Sequence, residues 1–300
     1  MVALAVLAAL LSACASTGSG SAASTTVPAA TATVPSTTTT TLAPTTAPST
    51  STTTTTTTTL PGTAGAPAGL TLETGDLQSG VKGLRTYRLQ AALKALKFDP
   101  GPLDGHFGLM TEQAVWAYQA LYGFPVNGVL NTLEEASILV AKPAPMLRPD
   151  LGPTHTEVDL DKQILMVFRN NALVLITHVS TGSGRHFCNK GDCGVAITPT
   201  GDFHYQRRIS GWRVAPLGEL FNPIYFDGGI AVHGEPSVPL YPASHGCVRI
   251  PMHIADYFPS LVNNGDAIAV FHGGPGRAHP APVAPPTGNT PAPSNLLAGA

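Results

Sequence analysis

One thiol, two imidazoles and a glycine near the C-terminal third of the chain have the types and spacing to attack a carbonyl. Cys247 sits in Tyr-Pro-Ala-Ser-His-Gly-Cys-Val-Arg-Ile, residues 241–250. A free thiol with a pKa of about 8.5 is mostly protonated at neutral pH, so a reactive cysteine needs a partner that takes its proton. An imidazole can do so, giving an ion pair whose sulfur attacks carbonyl carbon. His245 lies two residues before Cys247, and His233 closes an apolar run and is followed by Gly234, which lets chains approach closely. Gly246 suggests a tight turn whose backbone N–H groups point into the site, where they can hold a developing oxyanion. Two other readings of Cys247 stay open on the residues alone. One is a zinc site with His233 and His245, which would lack the usual Cys-x-x-Cys or His-Glu-x-x-His spacing. The other is an ordinary buried thiol.

The chain has four cysteines. Cys188 and Cys193 flank Asn-Lys-Gly-Asp, a turn-forming stretch, and that spacing predicts a local disulfide in an oxidising compartment. Two free thiols, or half of a zinc site, are the alternatives. Cys14 ends a different pattern. Residues 2–11 are an apolar run too short to span a bilayer and of signal-peptide length. Leu11-Ser12-Ala13-Cys14 follows and resembles the lipobox of bacterial lipoproteins, although no Lys or Arg precedes the run. That resemblance implies a signal peptide over 1–13, cleavage before Cys14 and a lipid on Cys14. With Cys188 paired to Cys193, Cys247 is the odd thiol of an exported chain, which calls for a functional explanation.

The elements that must position these residues occupy about two thirds of the sequence. Residues 14–70 are mostly Thr, Ser, Ala and Pro, with an unbroken Thr run at 52–59, and cannot bury enough surface to offset their conformational entropy. They read as a disordered stalk, and the Pro/Ala/Gly-rich stretch 273–300 reads as a disordered tail. The net charge of −2 gives no basic patch, so nothing points to nucleic acid. Residues 71–141 read as a small three-helix bundle. Leu89, Ala92, Leu93 and Leu96 make one helical face, and Ala114, Val115, Tyr118, Leu121 and Tyr122 a second. A third helix starts at Thr132, with Glu135 completing a capping box. Residues 142–153 form a proline-studded, semi-rigid linker. From 154 to 272 the pattern is mainly β: a hairpin over 163–180 turning at Asn170-Asn171, strands at 228–234 and 267–271, and one helix over 253–262. The stretch 203–226, rich in aromatics, Arg and Gly, is either a wall of a groove or a packed connection. The Cys188–Cys193 loop reads as peripheral.

Two resemblances follow from these residues. Residues 75–96, 100–119 and 126–136, with Asp104-Gly105-x-Phe107-Gly108, Thr111, Ala114, Val115 and Gln119, look like the three-helix peptidoglycan-binding domain. This implies docking on cell-wall glycopeptide. The β region resembles the L,D-transpeptidase (YkuD-type) catalytic domain. The matching pieces are residues 158–168, Val-Ser-Thr-Gly at 179–182, Thr-Pro-Thr-Gly-Asp-Phe at 198–203, His233-Gly234, and Ser-His-Gly-Cys-Val-Arg at 244–249. The family usually has Thr or Ser after the His-Gly pair, where this chain has Glu235, a change expected to alter local hydrogen bonding or substrate preference. Carried over, the resemblance implies that Cys247 attacks the third, diamino-acid residue of a tetrapeptide stem, releasing D-alanine. The amine of a neighbouring stem then resolves the thioester into a 3→3 cross-link. His233 is implied as base and then acid, oriented by a carbonyl near Gly234, with His245 as the alternative base. Backbone N–H groups around Gly246 and Cys247 are implied as the oxyanion hole, with Ser244 and His245 shaping the site. Arg249 binds a substrate carboxylate or fixes the loop. No metal or organic cofactor is required. Water or a protein amine as acceptor would make a carboxypeptidase or a protein ligase of the same thioester, and a non-catalytic wall-binding scaffold is the rival of another class. The expected setting is a monomer outside the cytoplasmic membrane, held there by lipid on Cys14, with peptidoglycan as partner.

Overall fold

The computed structural model describes residues 62–189 and 191–273. The signal-like run 1–13, Cys14, the stalk as far as residue 61 and the tail beyond 273 lie outside the described residues. Residues 62–70, read from sequence as stalk, are part of the folded body: the Tyr87 hydroxyl donates to the Ala64 carbonyl at 3.1 Å.

Helices α1 (Leu84–Ala95), α2 (Leu109–Tyr122) and α3 (Thr132–Val140) form the N-terminal bundle. Leu89 and Leu93 of α1, Val115 and Tyr118 of α2 and Ile138 of α3 are buried together, with Leu77 and Leu130 closing one end through a pair of backbone hydrogen bonds. Tyr122, expected on the buried face of α2, is 36% exposed. The cap of α3 is displaced by one residue from the expected pair. Asn131, in extended conformation, accepts from the Leu133 and Glu134 amides, and Glu134 reaches back to the Asn131 amide. Asn is among the strongest N-caps, which explains the shift. Glu135 instead pairs with Arg85 at 2.6 Å.

The expected spacer at 142–153 is not a free linker. The Glu157 carboxylate accepts from the amides of Leu147 and Arg148, at 2.9 and 2.8 Å. Arg148 clamps both Asp150 and Asp202, at 2.7 and 2.8 Å. Prolines set the path, but buried and charge-assisted hydrogen bonds fix the segment to the β domain.

The β domain runs through β1 (His155–Asp159), β2 (Ile164–Arg169), β3 (Ala172–His178), β4 (His186–Asn189), β5 (Asp192–Val195), β6 (Gly201–His204), β7 (Arg207–Arg208), β8 (Trp212–Ala215), β9 (Gly218–Asp227), β10 (Ile230–Gly234), β11 (Val248–Ile250) and β12 (Ala267–Phe271). One sheet has the order β3-β2-β1-β12-β6, and a second the order β11-β10-β9-β7 with β8 also on β9. The β2–β3 turn has φ of 50° at Asn170 and 63° at Asn171, the left-handed pair that a two-residue hairpin demands. The expected single helix over 253–262 is two short ones, α4 (Met252–Ala255) and α5 (Phe258–Leu261). Pro259 has no N–H to give to Ala255, whose carbonyl accepts from Asn222 Nδ2 instead.

Strand β2 explains how the two halves join. Its residues are buried on both faces. Leu165 and Val167 face the second sheet, sharing a core with Ile224, Phe226, Val232, Val248 and the α4–α5 residues Ile254 and Phe258. Ile164, Met166 and Phe168 face the other way and share a core with Leu96, Phe98 and Tyr118 of the helical bundle, together with Leu173 and Ile176 of β3. The Ile176 amide donates to the Lys97 carbonyl at 2.7 Å, and the Tyr257 hydroxyl donates to Asp99 at 2.8 Å. The helical and β parts therefore share a hydrophobic core.

Candidate active site

Strand alternation brings the chemistry to one face of the second sheet. Successive side chains of a strand point to opposite faces. On and just past β10, His233 and Glu235 therefore share a face, as do Cys247, immediately before β11, and Arg249 within it. His233 is the cross-strand partner of Arg249, and Ala231 that of Tyr225 on β9. His233, Glu235, Cys247, Arg249 and Tyr225 line a cleft of about 720 Å³. The β8–β9 hairpin supplies one wall through Arg213, Leu217, Glu219 and Leu220, so the stretch 203–226 is a wall of the groove. Tyr225 lies in it, with the Arg207 guanidinium 3.4 Å from its ring centroid. Trp212 packs on Phe221 and stays half exposed.

The β4–β5 hairpin, joined by a disulfide between Cys188 and Cys193, supplies another wall through Phe187 and Val195. This corrects its reading as peripheral. His245 is exposed at the rim, its ring edge-on to Phe187 with centroids 5.1 Å apart.

The nucleophile turn is held from both sides. Ser244 Oγ donates to the Cys247 carbonyl at 2.6 Å and accepts from the Gly246 amide at 3.0 Å. Thr198 Oγ1 donates to the Gly246 carbonyl at 2.7 Å while accepting from the Gly182 amide at 2.8 Å. The two glycine-bearing signatures at 179–182 and 198–203 thus act through Thr198 as a buttress for the turn. Gly246 has φ of 133°, and a Cβ there would lie 2.8 Å from the Ile197 carbonyl oxygen, so no other residue fits. Gly234 is needed for packing: its Cβ would lie 2.6 Å from that of Ala255. One expectation changes. The Gly246 amide is occupied by Ser244, so the donors of this turn left without a hydrogen bond among the described residues are the His245 and Cys247 amides.

His233 is buried and oriented. Its Nδ1 donates to the Gly234 carbonyl at 2.9 Å, the tautomer that leaves the Nε2 lone pair free. Burial pushes its pKa down to about 4, against the pull of the Gly234 carbonyl and with help from the Arg249 charge. Burial also pushes the Cys247 thiol up, partly offset by the Ala231 amide and by Arg249. Both shifts favour the neutral forms, thiol and imidazole, over the ion pair expected from sequence. The same burial couples to folding. Between 6.5 and about 4 the unfolded chain takes up a proton that folded His233 refuses, so this group lowers stability as pH falls through that window and has no effect above it.

A neutral thiol predicts a specific pH response. Alkylation of Cys247 by iodoacetamide, followed by peptide mass spectrometry, is expected to rise about tenfold per pH unit from pH 6 to 8.5, because only the thiolate reacts. A rate flat across pH 5–8 would reveal a thiolate–imidazolium pair and overturn this reading.

Among the described residues no group of three His, Cys, Asp or Glu side chains is arranged to hold a metal ion. Sequence reasoning missed Thr198 as a buttress and Phe187 as a wall residue, whereas Arg207, Arg213 and Glu219 fall in the stretch 203–226 that it read as either a wall or a packed connection. The motif quotations at 179–182 and 198–203 contained the signal for the first. Nothing in the spacing around Phe187 points to the cleft.

The family model of the L,D-transpeptidase catalytic domain (YkuD) matches residues 153–270, and that of a peptidoglycan binding domain matches residues 82–133. Among solved structures, the L,D-transpeptidase (residues 123–326) from Xylanimonas cellulosilytica is 33% identical with a TM-score of 0.62; the match covers 67% of this chain and 100% of that one. An L,D-transpeptidase from Stackebrandtia nassauensis is 21% identical with a TM-score of 0.38, over 69% of this chain and 100% of that one. No curated protein matches the chain.

Proposed function

Because the chain belongs to the L,D-transpeptidase family, with a peptidoglycan-binding domain ahead of the catalytic one, its role is in cross-linking peptidoglycan, and we propose a cysteine acyl-enzyme route through Cys247 and His233. In the first half, His233 Nε2 takes the Cys247 proton as sulfur attacks the carbonyl of the third stem residue. The neutral resting pair makes this proton transfer concurrent with attack. His233 then gives that proton to the departing D-alanine amine, leaving a thioester. In the second half, the amine of a neighbouring stem attacks, His233 takes its proton and returns it to sulfur, and a 3→3 peptide bond remains. The Cys247 and His245 amides are the donors offered to the oxyanion, and Arg249 is the cation offered to a substrate carboxylate. His245 sits at the rim, so it lines the groove and His233 is the base.

The observation that carries this reading is the single-tautomer imidazole of His233, pinned by the Gly234 carbonyl on the same sheet face as Cys247. The test incubates the protein with a disaccharide-tetrapeptide and reads the products by mass spectrometry. Dimer formed with loss of one D-alanine is the expected result. Tripeptide without dimer would mean that water is the acceptor, and no change would overturn the catalytic reading.

The same proposal places the protein outside the cytoplasmic membrane as a monomer, anchored by lipid on Cys14 and spaced by the Thr-rich segment. The Cys188–Cys193 disulfide supports an oxidising location, since such bonds persist outside the cytosol.

A further inference from the structure

Between the strand that carries His233 and the turn that carries Cys247, the chain runs through residues 236–243, a loop outside both sheets. Pro236, Pro239 and Pro242 fix φ along it and have no N–H to give, so the loop is stiff and poor in backbone donors. Two side chains at the end of β3 hold it. His178 Nε2 faces the Val238 carbonyl at 3.3 Å and the Pro239 carbonyl at 3.0 Å. Carbonyl oxygens only accept, so Nε2 carries the proton and donates to both. Two residues on, Ser180 Oγ donates to the Tyr241 carbonyl at 2.8 Å and accepts from the Ala243 amide at 3.1 Å. The Ser244 amide then donates to the Thr181 carbonyl at 2.9 Å, where the nucleophile turn begins. His178 is 2% exposed and does not line the cleft, so it holds the loop without touching a reacting atom. From its other side, Trp116 of α2 packs edge-on to the imidazole, with ring centroids 5.5 Å apart.

We infer that His178 is a positioning residue for the Cys247–His233 pair: its Nε2–H fixes the loop that joins them, and Trp116 of the helical part keeps its ring in place. The inference rests on the acyl-enzyme reading for what is being aligned. A stiff loop pinned near its middle moves as one piece. Its two ends, Glu235 beyond the strand of the base and Ser244 at the head of the nucleophile turn, therefore keep a set separation. Without the imidazole N–H, the Val238 and Pro239 carbonyls lose a buried donor, and the loop must shift to regain one. A misplacement of about 1 Å between reacting groups costs on the order of a hundredfold in rate. Two walls of the cleft come from the β4–β5 and β8–β9 hairpins, which this loop does not support, so the loss falls on turnover rather than on substrate binding.

The test measures kcat and KM for D-alanine release from a disaccharide-tetrapeptide by the full protein, with the melting temperature and the rate of Cys247 alkylation by iodoacetamide read on the same samples. His178→Phe keeps a ring and loses the donor. Its kcat is expected to fall about tenfold or more with KM within about twofold of wild type. Alkylation is expected to slow about threefold or more, because a displaced turn takes the thiolate away from the Ala231 amide and Arg249, which favour it. Ile138→Ala, in the core of the bundle, lowers the melting temperature and is expected to leave both rates within about twofold. Trp116→Leu is expected to repeat the kcat loss in weaker form. The pair His178→Gln and His178→Asn asks the same question without an apolar ring: a Gln amide reaches as far as Nε2 and an Asn amide does not, so kcat is expected to be about tenfold higher in the Gln variant. Equal kcat in the Gln and Asn variants, wild-type rates in His178→Phe, or an equal kcat loss in Ile138→Ala would overturn the inference. Should the wild type release no D-alanine, the acyl-enzyme reading falls by itself, and the alkylation rates still decide whether His178 positions Cys247.

Discussion

Cys247→Ala is expected to abolish D-alanine release and thioester formation, a loss of at least about 10⁴-fold, while binding to isolated cell-wall sacculi persists. Cys247 is the nucleophile in the proposed route: the other lining residues are imidazoles, guanidinia, carboxylates, the Tyr225 phenol and apolar groups, and Ser244 Oγ is committed to the Cys247 carbonyl and the Gly246 amide. Cys247→Ser sharpens the expectation. Serine keeps the shape, but its hydroxyl is far harder to ionise than a thiol, and burial lowers the basicity of His233, which makes that proton harder still to remove. Both variants therefore fail to form a covalent adduct in intact-mass spectrometry. The substitution leaves the helical bundle untouched, so sacculus binding separates the two activities. Turnover within a hundredfold of wild type in either variant would contradict the role of Cys247.

Much of this site was legible in the sequence because its residues are close in the chain or bound to distinctive neighbours. Ser244, Gly246, Cys247 and Arg249 lie in one six-residue stretch, and His233-Gly234 ends an apolar strand pattern. The turn at Asn170-Asn171 was legible for the same reason: local backbone demands are written in local residue types. What stayed hidden depends on tertiary placement. Burial, invisible in the sequence, favours the neutral forms of Cys247 and His233 over the expected ion pair. The contacts of His178 with Trp116 and with the loop at 238–239 appear only when α2 and that loop are laid against the end of β3. The β4–β5 hairpin has no chemical signature of its own, and only the fold brings Phe187 against His245. The linker is the clearest case. Its prolines describe a spacer, and nothing local reveals that Glu157, inside a strand, caps two of its amides.

The union of helical and β parts carries the second large effect. A chain beginning at residue 142 is expected not to fold as a soluble, cooperative domain, although it retains every residue of the cleft. On the outer face of the first sheet, Ile164, Met166, Phe168, Leu173 and Ile176 are at most 9% exposed, and the residues that share their core include Leu96, Phe98, Val115 and Tyr118 of the helical part. Removing the helices lays that face open to water. At about 1.5–3 kcal/mol for each large apolar side chain uncovered, the loss is comparable to the whole stability of a typical domain. The Lys97–Ile176 and Asp99–Tyr257 hydrogen bonds vanish as well. The measurement is thermal unfolding by circular dichroism. Residues 62–273 are expected to melt in one transition, and residues 142–273 to show no cooperative transition and to bind a hydrophobic dye. A truncated chain melting within about 5 °C of the intact one would mean that the shared core adds nothing. Recovery of a cooperative melt in the truncated chain on changing Met166 and Phe168 to Thr would tie the defect to the exposed face. The cell-wall-binding part thus does two things: it docks on polymer, and it completes the hydrophobic core of the catalytic domain.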